Sequence, residues 1–356
     1  MSKHNMVRIR LDAAKGKMKS KEIMTSFLKV FVVALVVVLV FSKFYNLQTV
    51  KKIAIDDTKE KLGPKNDDPL ESIRRDCDKL CDTTMKGSPG PYFDHITVPV
   101  NCKALFQNDY IDQGHKLQSA PRKIPKYMFK EFSMNGRVNI TSRYFNEVNI
   151  GTAGKSQIWT TQLIERNRKQ ARQGTLEGTY SVSEVKALID GLHNAPNIKN
   201  GRVLVIGSQN PWVEACALEA GASEVVTLEY GPIISKHPQV KTMLPADFRM
   251  QYLNGKLGMF DAVVTFSSIE HSGLGRFGDA LNPWGDIISI ARAWCVTKIG
   301  GSLTIGVMYN QERDAIEFNA HRIYGKIRYP YLTANWKQHY RGHGIQRVHV
   351  FTKALK

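Results

Sequence analysis

One stretch of the chain is unusually rich in side chains that do chemistry. "SSIEHSGLGRFGDALNPWGD", 267–286, gathers Ser267, Ser268, Glu270, His271, Arg276, Asp279, Asn282 and Asp286 among four glycines. Polar residues on a loop held by a rigid scaffold are the usual carriers of binding and catalysis. The ordinary pKa of imidazole lies nearest neutrality, so His271 is the candidate general base toward a hydroxyl. Glu270 would orient it or bind substrate, and Arg276 would place the acceptor. Asp286 reads as a turn or helix cap. Glu270, His271 and Asp279 lack any diagnostic ligand spacing, so no metal is expected. Asn310 and, in "FNAHRIYG", Asn319, His321 and Arg322 are either substrate contacts or ordinary surface polarity.

The second candidate is the turn in "RVLVIGSQNPWVEACALEAG", 202–221. An apolar run closes on Gly207, as at the start of a nucleotide-binding crossover, but Ser208-Gln209-Asn210-Pro211-Trp212 follows instead of further glycines. A pyrophosphate cradle needs backbone close to phosphate and several free amides. One glycine and a proline at the helix start argue against a dinucleotide. S-adenosylmethionine carries no phosphate and asks less of the loop. Glu229 lies twenty-two residues after Gly207, the spacing at which an acid can accept hydrogen bonds from ribose hydroxyls. Asp247 in "PADF" could meet an adenine amino group. Gly207, Glu229 and Asp247 are therefore the candidate cofactor contacts.

The elements that must hold these residues alternate. Strand patterns fall at 202–207, 224–230, 240–245, 259–266, 302–308 and 347–355. Between them lie helices at 181–192, capped by Ser181 or Ser183, at 211–221, with Asn210 as cap and Pro211 first, and at 283–298. In that last helix Ile287, Ile288, Ala291, Trp294 and Cys295 share a face, and Gly300-Gly301 ends it. The final strand alternates as though exposed on one side. Such alternation predicts an α/β fold, a Rossmann-like doubly wound, mostly parallel sheet. The loops after Ile206, Leu228, Phe266 and Met308 should then face one crevice.

"VLVIGSQNPWVEACALEAGASEVVTLEYGP", "FDAVVTFSSIEHSGLGRFGDALNPWGD", "ARAWCVTKIGG" and "NAHRIYG" together resemble the protein family of unknown function 268, familiar from nematodes. The resemblance runs from about Gly178 to Trp336. More loosely, the layout is similar to class I S-adenosylmethionine-dependent methyltransferases: one glycine after the first strand, Glu229 after the second, "FDAVV" leading to Glu270-His271, and "GGSLTIG" for the fifth. That resemblance implies an antiparallel last strand, which "RVHVFTKAL" would supply. The glycine motif is reduced to Gly207, and "KIGG" stands where Pro-Gly-Gly is usual.

The N-terminal part carries a different signal. "FLKVFVVALVVVLVF" extends over 23–44, about the length needed to span a bilayer. Seven Lys/Arg precede it, against Lys43 at its end and Lys51 and Lys52 beyond, so the N-terminus is expected in the cytoplasm and the rest in a lumen or outside. An uncleaved signal anchor is favoured over a signal peptide. The reading is a basic tail (1–22), a transmembrane anchor (23–44), a polar stem (45–130) and a methyltransferase-like domain (131–356). The charge of +18 owes much to the tail, and without a basic helix or aromatic RNA-binding signature no nucleic-acid partner is expected. Cys77, Cys81 and Cys102 could form a disulfide in an oxidising lumen, whereas Cys216 and Cys295 read as small core residues. Asn139 carries the one glycosylation sequon.

These readings combine into a single-pass membrane protein whose domain would move a methyl group from S-adenosylmethionine to an oxygen acceptor, such as a glycan or small molecule. Two alternatives stay open. One is a non-catalytic, membrane-tethered binding module on the same fold. The other is a secretory-pathway glycosyltransferase, for which Asp76-Cys77-Asp78 is the one Asp-x-Asp match.

Overall fold

The apolar runs form a seven-stranded sheet of β1 (Arg202–Ile206), β2 (Glu224–Leu228), β3 (Val240–Met243), β4 (Phe260–Phe266), β5 (Thr297–Met308), β6 (Trp336–Arg341) and β7 (Gln346–Lys353). Its order is β3-β2-β1-β4-β5-β7-β6. The pairs among β1 to β5 are all parallel, while β7 runs antiparallel to both β5 and β6. The expected mostly parallel sheet and its antiparallel closing strand are both present. The order reverses between β1 and β4, so the crevice for a ligand lies beyond their carboxyl ends.

The computed structural model describes residues 101–109, 112, 120–147 and 157–353. These belong to one compact unit, Asp68–Lys356; the other, Met1–Asp67, lies outside the described residues. So do the anchor reading at 23–44 and Asp76, Cys77, Asp78 and Cys81. Among the described residues, no helix is long and apolar enough to cross a membrane.

Side chains alternate across a strand, and β1 shows the result. Val203 and Val205 enter a core with Ile164, Val185, Leu188, Val213 and Cys216. These come from helices α1 (Thr161–Gln173), α2 (Val182–His193) and α3 (Trp212–Glu219). Leu204 and Ile206 enter the opposite core with Phe248 of α4 (Pro245–Leu253) and Ile287, Ile288 and Ile290 of α5 (Gly285–Val296). A continuous apolar run on a strand therefore means burial on both faces.

Several expectations change in detail. Ser181 caps α2, accepting from Glu184 N–H at 3.3 Å. Helix α3 starts at Trp212, with Pro211 at the cap position and no side-chain cap, so Asn210 is not the cap. Helix α5 is buried nearly all round rather than along one stripe. It passes at Thr297 directly into β5, and Gly300-Gly301 fall in a bulged stretch of that strand, where a Cβ on Gly301 would lie 2.7 Å from Asp261 O. Strand β7 is buried on both faces: Val348 and Val350 enter the core with α2, and Phe351 enters the opposite core.

Cys295 is not a free core thiol: it is disulfide-bonded to Cys102, 193 positions away. Cys216 is free and buried. Within the stretch read as a stem, helix Cys102–Gln107 sends Leu105 and Phe106 into the same core as α5. Arg292 of α5 anchors this helix by donating to Leu105 O at 2.8 and 3.1 Å.

A small sheet that the sequence reading did not anticipate flanks the crevice. Asn139–Arg143 pairs parallel with Ala315–Asn319, which pairs antiparallel with His321–Ile323. The exposed Asn139 begins its first strand. This sheet brings Phe145 and Glu147 toward the β4 loop.

Candidate functional site

A cleft of about 340 Å³ opens at the switch point and is lined by Gly207, Leu228, Glu229, Phe266, Ser267 and His271, among others. The loops after β1, β2 and β4 thus meet in one crevice, within the size range of small-ligand sites. Asn310, expected to complete it from the β5 loop, instead organises a turn, accepting from Glu312 N–H at 3.0 Å.

Gly207 has φ +75°, where a side chain is strained. A Cβ there would overlap Ser268 Oγ and lie 2.5 Å from Ser268 Cβ. Close approach of the β4 loop is therefore sufficient reason for glycine. Below the turn, Glu214 is fully buried and accepts from Ser208 Oγ at 3.0 Å and Thr227 Oγ1 at 2.7 Å. Burial pushes its carboxyl up to about 7.

Glu229 stands at the end of β2, and its carboxylate accepts from Ser208 N–H at 2.8 Å and Tyr230 N–H at 2.7 Å. Burial raises its pKa, with the neighbouring amides opposing the shift. Each carboxylate oxygen offers two lone pairs, so capacity remains for hydroxyl donors. Asp247 lies in the first turn of α4 but is exposed, whereas Pro245 and Phe248 line the cleft. Those two are three residues apart and share a helix face that Asp247 does not.

His271 faces the cleft, and its Nδ1 lies 2.7 Å from Ala320 O. A carbonyl only accepts, so Nδ1 carries the proton and Nε2 keeps a free lone pair. Burial and the nearby Arg276 push this imidazole down to about 3, so it is neutral at pH 7. Glu270 does not orient it. It is fully buried and accepts from Ser267 Oγ at 2.9 Å, and burial pushes it up to about 7. Arg276 lines the cleft, but its Nε pairs with Glu147 at 2.6 Å and its guanidinium lies over Phe145 and Phe277. Any anionic acceptor must compete with Glu147 for it.

The remaining polar residues of this region brace the loop, although Asp279 also borders the cleft. Asp279 accepts from Gly273 N–H at 2.7 Å and Gly275 N–H at 3.1 Å, folding the loop around itself. Asp286 is no cap. Fully buried, it pairs with Arg328 at 2.6 Å and stands 3.6 Å from Arg322. Arg322 contacts no cleft: it is fully buried and donates to Ser272 O at 2.5 Å and Glu270 O at 3.3 Å, clamping the β4 loop from beneath. Asn319 likewise binds the Phe145 backbone at 2.8 and 3.0 Å. His321 is half-buried, its ring 6.5 Å from that of His271. Among the described residues, no group of three His, Cys, Asp or Glu is placed to hold a metal.

The site also recruits residues that the sequence reading passed over. Tyr180, just before α2, donates its hydroxyl hydrogen to Ser267 Oγ, and Gln346 Nε2 donates to the same oxygen at 3.0 Å. Trp212 packs edge-on against Phe266, ring centres 5.0 Å apart.

No curated protein matches the chain. Among solved structures, human N-acetylserotonin methyltransferase in complex with SAM is 9% identical, with a TM-score of 0.35 over 55% of this chain and 57% of that one. An O-methyltransferase family protein from Burkholderia thailandensis is 12% identical, with a TM-score of 0.30 over 53% and 58%. A chain from a Haloferax volcanii complex containing the Trm112 methyltransferase activator is 10% identical, with a TM-score of 0.34 over 55% and 97%. Scores this low bear on neither ligand nor activity. The family resemblance carried by the motifs is borne out: residues 199–356 match the family described as Caenorhabditis protein of unknown function, DUF268.

Proposed function

We propose that the domain binds S-adenosylmethionine and transfers its methyl group to an acceptor hydroxyl. The observation that carries this reading is the meeting of Glu229, after β2, with a neutral His271, after β4, in one switch-point cleft. The residues fit the cofactor. Glu229 has lone pairs left for ribose hydroxyls, the Gly207–Ser208 backbone borders it, and Leu228 and Phe248 offer an apolar wall. No anion nest is needed, which matches a turn with one glycine and an early proline.

When bound, the cofactor supplies an electrophilic methyl group. The chain's own part is to bind, orient and manage the proton. The Ala320 carbonyl fixes the His271 tautomer, so Nε2 can accept a hydrogen bond from the acceptor hydroxyl. Phe145 and Glu147 hold Arg276 at the edge of the cleft, where it would place the acceptor.

The Cys102–Cys295 disulfide supports a compartment that is oxidising, as does a signal anchor at 23–44 that leaves the domain luminal or extracellular. A glycan is an acceptor class to be met there, and the exposed Asn139 would be open to glycosylation.

The test is calorimetry on the full chain in detergent with S-adenosylmethionine and with its demethylated product. Binding of either is the expected result. No heat from folded protein with both would overturn the reading. One observation favours the alternative of a non-catalytic binding module: Ser268 alone accounts for Gly207, so the turn needs no cofactor to explain it. Cofactor binding that is lost in Glu229→Ala would count against that alternative.

A further inference from the structure

We infer that Tyr180, Ser267 and Glu270 form a proton path leading from the cleft into the protein, with Glu270 as its terminus. The inference rests on the methyl-transfer reading for the reaction that feeds it, but the path itself is a property of this chain.

The donors of the chain all point one way. Tyr180 is 48% exposed, lines the cleft and donates its hydroxyl hydrogen to Ser267 Oγ. Ser267 Oγ donates to Glu270 Oε1 at 2.9 Å. Gln346 Nε2, at 3.0 Å, takes the second lone pair of Ser267. A serine hydroxyl has one hydrogen and two lone pairs. All three are committed, which rules Ser267 out as a nucleophile and fixes the direction of its hydrogen bond. Its φ of +46° is unusual for a residue other than glycine, and it is held there by these three partners. The phenol oxygen of Tyr180 is left facing the cleft with lone pairs to accept a proton. At the far end, Glu270 Oε2 accepts nothing from another residue.

The surrounding charges favour an anionic rather than a cationic proton acceptor. Arg276 and Arg322 both oppose an imidazolium at His271, and both favour a carboxylate at Glu270. The other groups acting on this stretch are Glu184, which opposes a phenolate at Tyr180, Tyr324, whose phenol feels Glu270, and His321, which opposes an imidazolium at His271.

The step balances as follows. Were a bound sulfonium donor to supply a methyl group, the acceptor O–H would break as its oxygen bonded to the methyl carbon, with the carbon–sulfur pair staying on sulfur. The acceptor proton goes to Tyr180 Oη, the tyrosine proton to Ser267 Oγ, and the serine proton to Glu270 Oε1. One sulfonium charge and one carboxylate charge disappear together, which a low-dielectric cleft favours. His271 then hydrogen-bonds and orients the acceptor without taking a full charge.

The test needs no acceptor. The ionisation of Tyr180 in the full chain is read as the ultraviolet difference between the wild type and Tyr180→Phe across alkaline pH. Glu270→Gln removes a like charge and should lower the Tyr180 midpoint, by on the order of one pH unit. Once ionised, Tyr180 no longer donates and the Ser267 hydrogen can turn from Glu270 to the phenolate; Ser267→Gly, which suits the positive φ, removes that donor and should raise the midpoint. A midpoint unmoved by both substitutions, with circular dichroism unchanged, overturns the path. If Glu270→Gln does not fold, the Ser267→Gly shift decides alone. Cofactor calorimetry on the wild type separates the two ideas: midpoint shifts without cofactor binding sink methyl transfer and leave the path, and binding without shifts does the reverse.

Discussion

Replacing Gly207 by alanine should destabilise the domain by about 2–5 kcal/mol. Two effects contribute. The left-handed backbone at φ +75° costs a residue with a Cβ roughly 1–2 kcal/mol. The new methyl also overlaps Ser268 Oγ and lies 2.5 Å from Ser268 Cβ, and overpacking of this kind costs about 1–3 kcal/mol. The hydroxyl can rotate away, but the Ser268 Cβ moves only with its backbone, which follows directly on β4. Removing the Ser268 side chain should therefore recover the steric part and leave the backbone part. A double-mutant cycle of Gly207→Ala with Ser268→Gly, followed by urea denaturation, should return a coupling of roughly 1–3 kcal/mol and a residual loss of roughly 1–2 kcal/mol. A single mutant within about 0.5 kcal/mol of wild type, with no coupling to Ser268, would refute the reasoning. If that same mutant also lost cofactor binding, the glycine would be there for the ligand.

Other outcomes follow from the same geometry. Glu229→Ala should weaken S-adenosylmethionine binding by roughly 10–100-fold, the worth of a hydrogen-bonded carboxylate, and unchanged calorimetric affinity would show that Glu229 does not meet the ribose. Glu214 is raised to about 7, above its unfolded value. Its contribution is complete below the ordinary carboxylate range and is lost as pH rises toward 7, a decline on the order of 3 kcal/mol. Glu214→Gln should flatten that part of a stability–pH curve, and an unaltered slope would contradict the buried assignment. His271 is depressed to about 3, so its contribution is present above its unfolded pKa and lost as pH falls from about 6.5 toward 3. His271→Gln should remove that acid limb in acid-denaturation measurements. Breaking the Cys102–Cys295 link by Cys295→Ser should cost up to about 5 kcal/mol for a closed loop of this length, and an unchanged denaturation midpoint under reducing and oxidising conditions would refute it.

The central strands were legible because a parallel sheet buried on both faces imposes continuous apolar runs, as in Val203–Ile206. The position of Glu229 at a strand end followed from local spacing too. What the sequence hid was long-range. Tyr180 and Gln346 meet Ser267 across 87 and 79 positions, and nothing in their local patterns marks them. Arg322 and Asn319 were misread for another reason: a buried clamp and a substrate contact have the same residue types, and only burial separates them. Asp247 shows the limit of spacing on a helix, where neighbours only one or two residues apart face different directions. The partner of Cys295 had no signature either, since a cysteine on an apolar helix face looks the same whether free or bridged.

The bridge between Cys102 and Cys295 has one further consequence. It closes the chain into a covalent ring that contains β1 to β4 and every residue lining the cleft, from Asp112 to Ala293. A protease that nicks the ring once leaves both fragments attached to each other, so a clipped molecule would run as one species until a reductant is added. Shedding of the domain from any N-terminal tether would accordingly require a cut before Cys102, because a single cut inside the ring would release nothing.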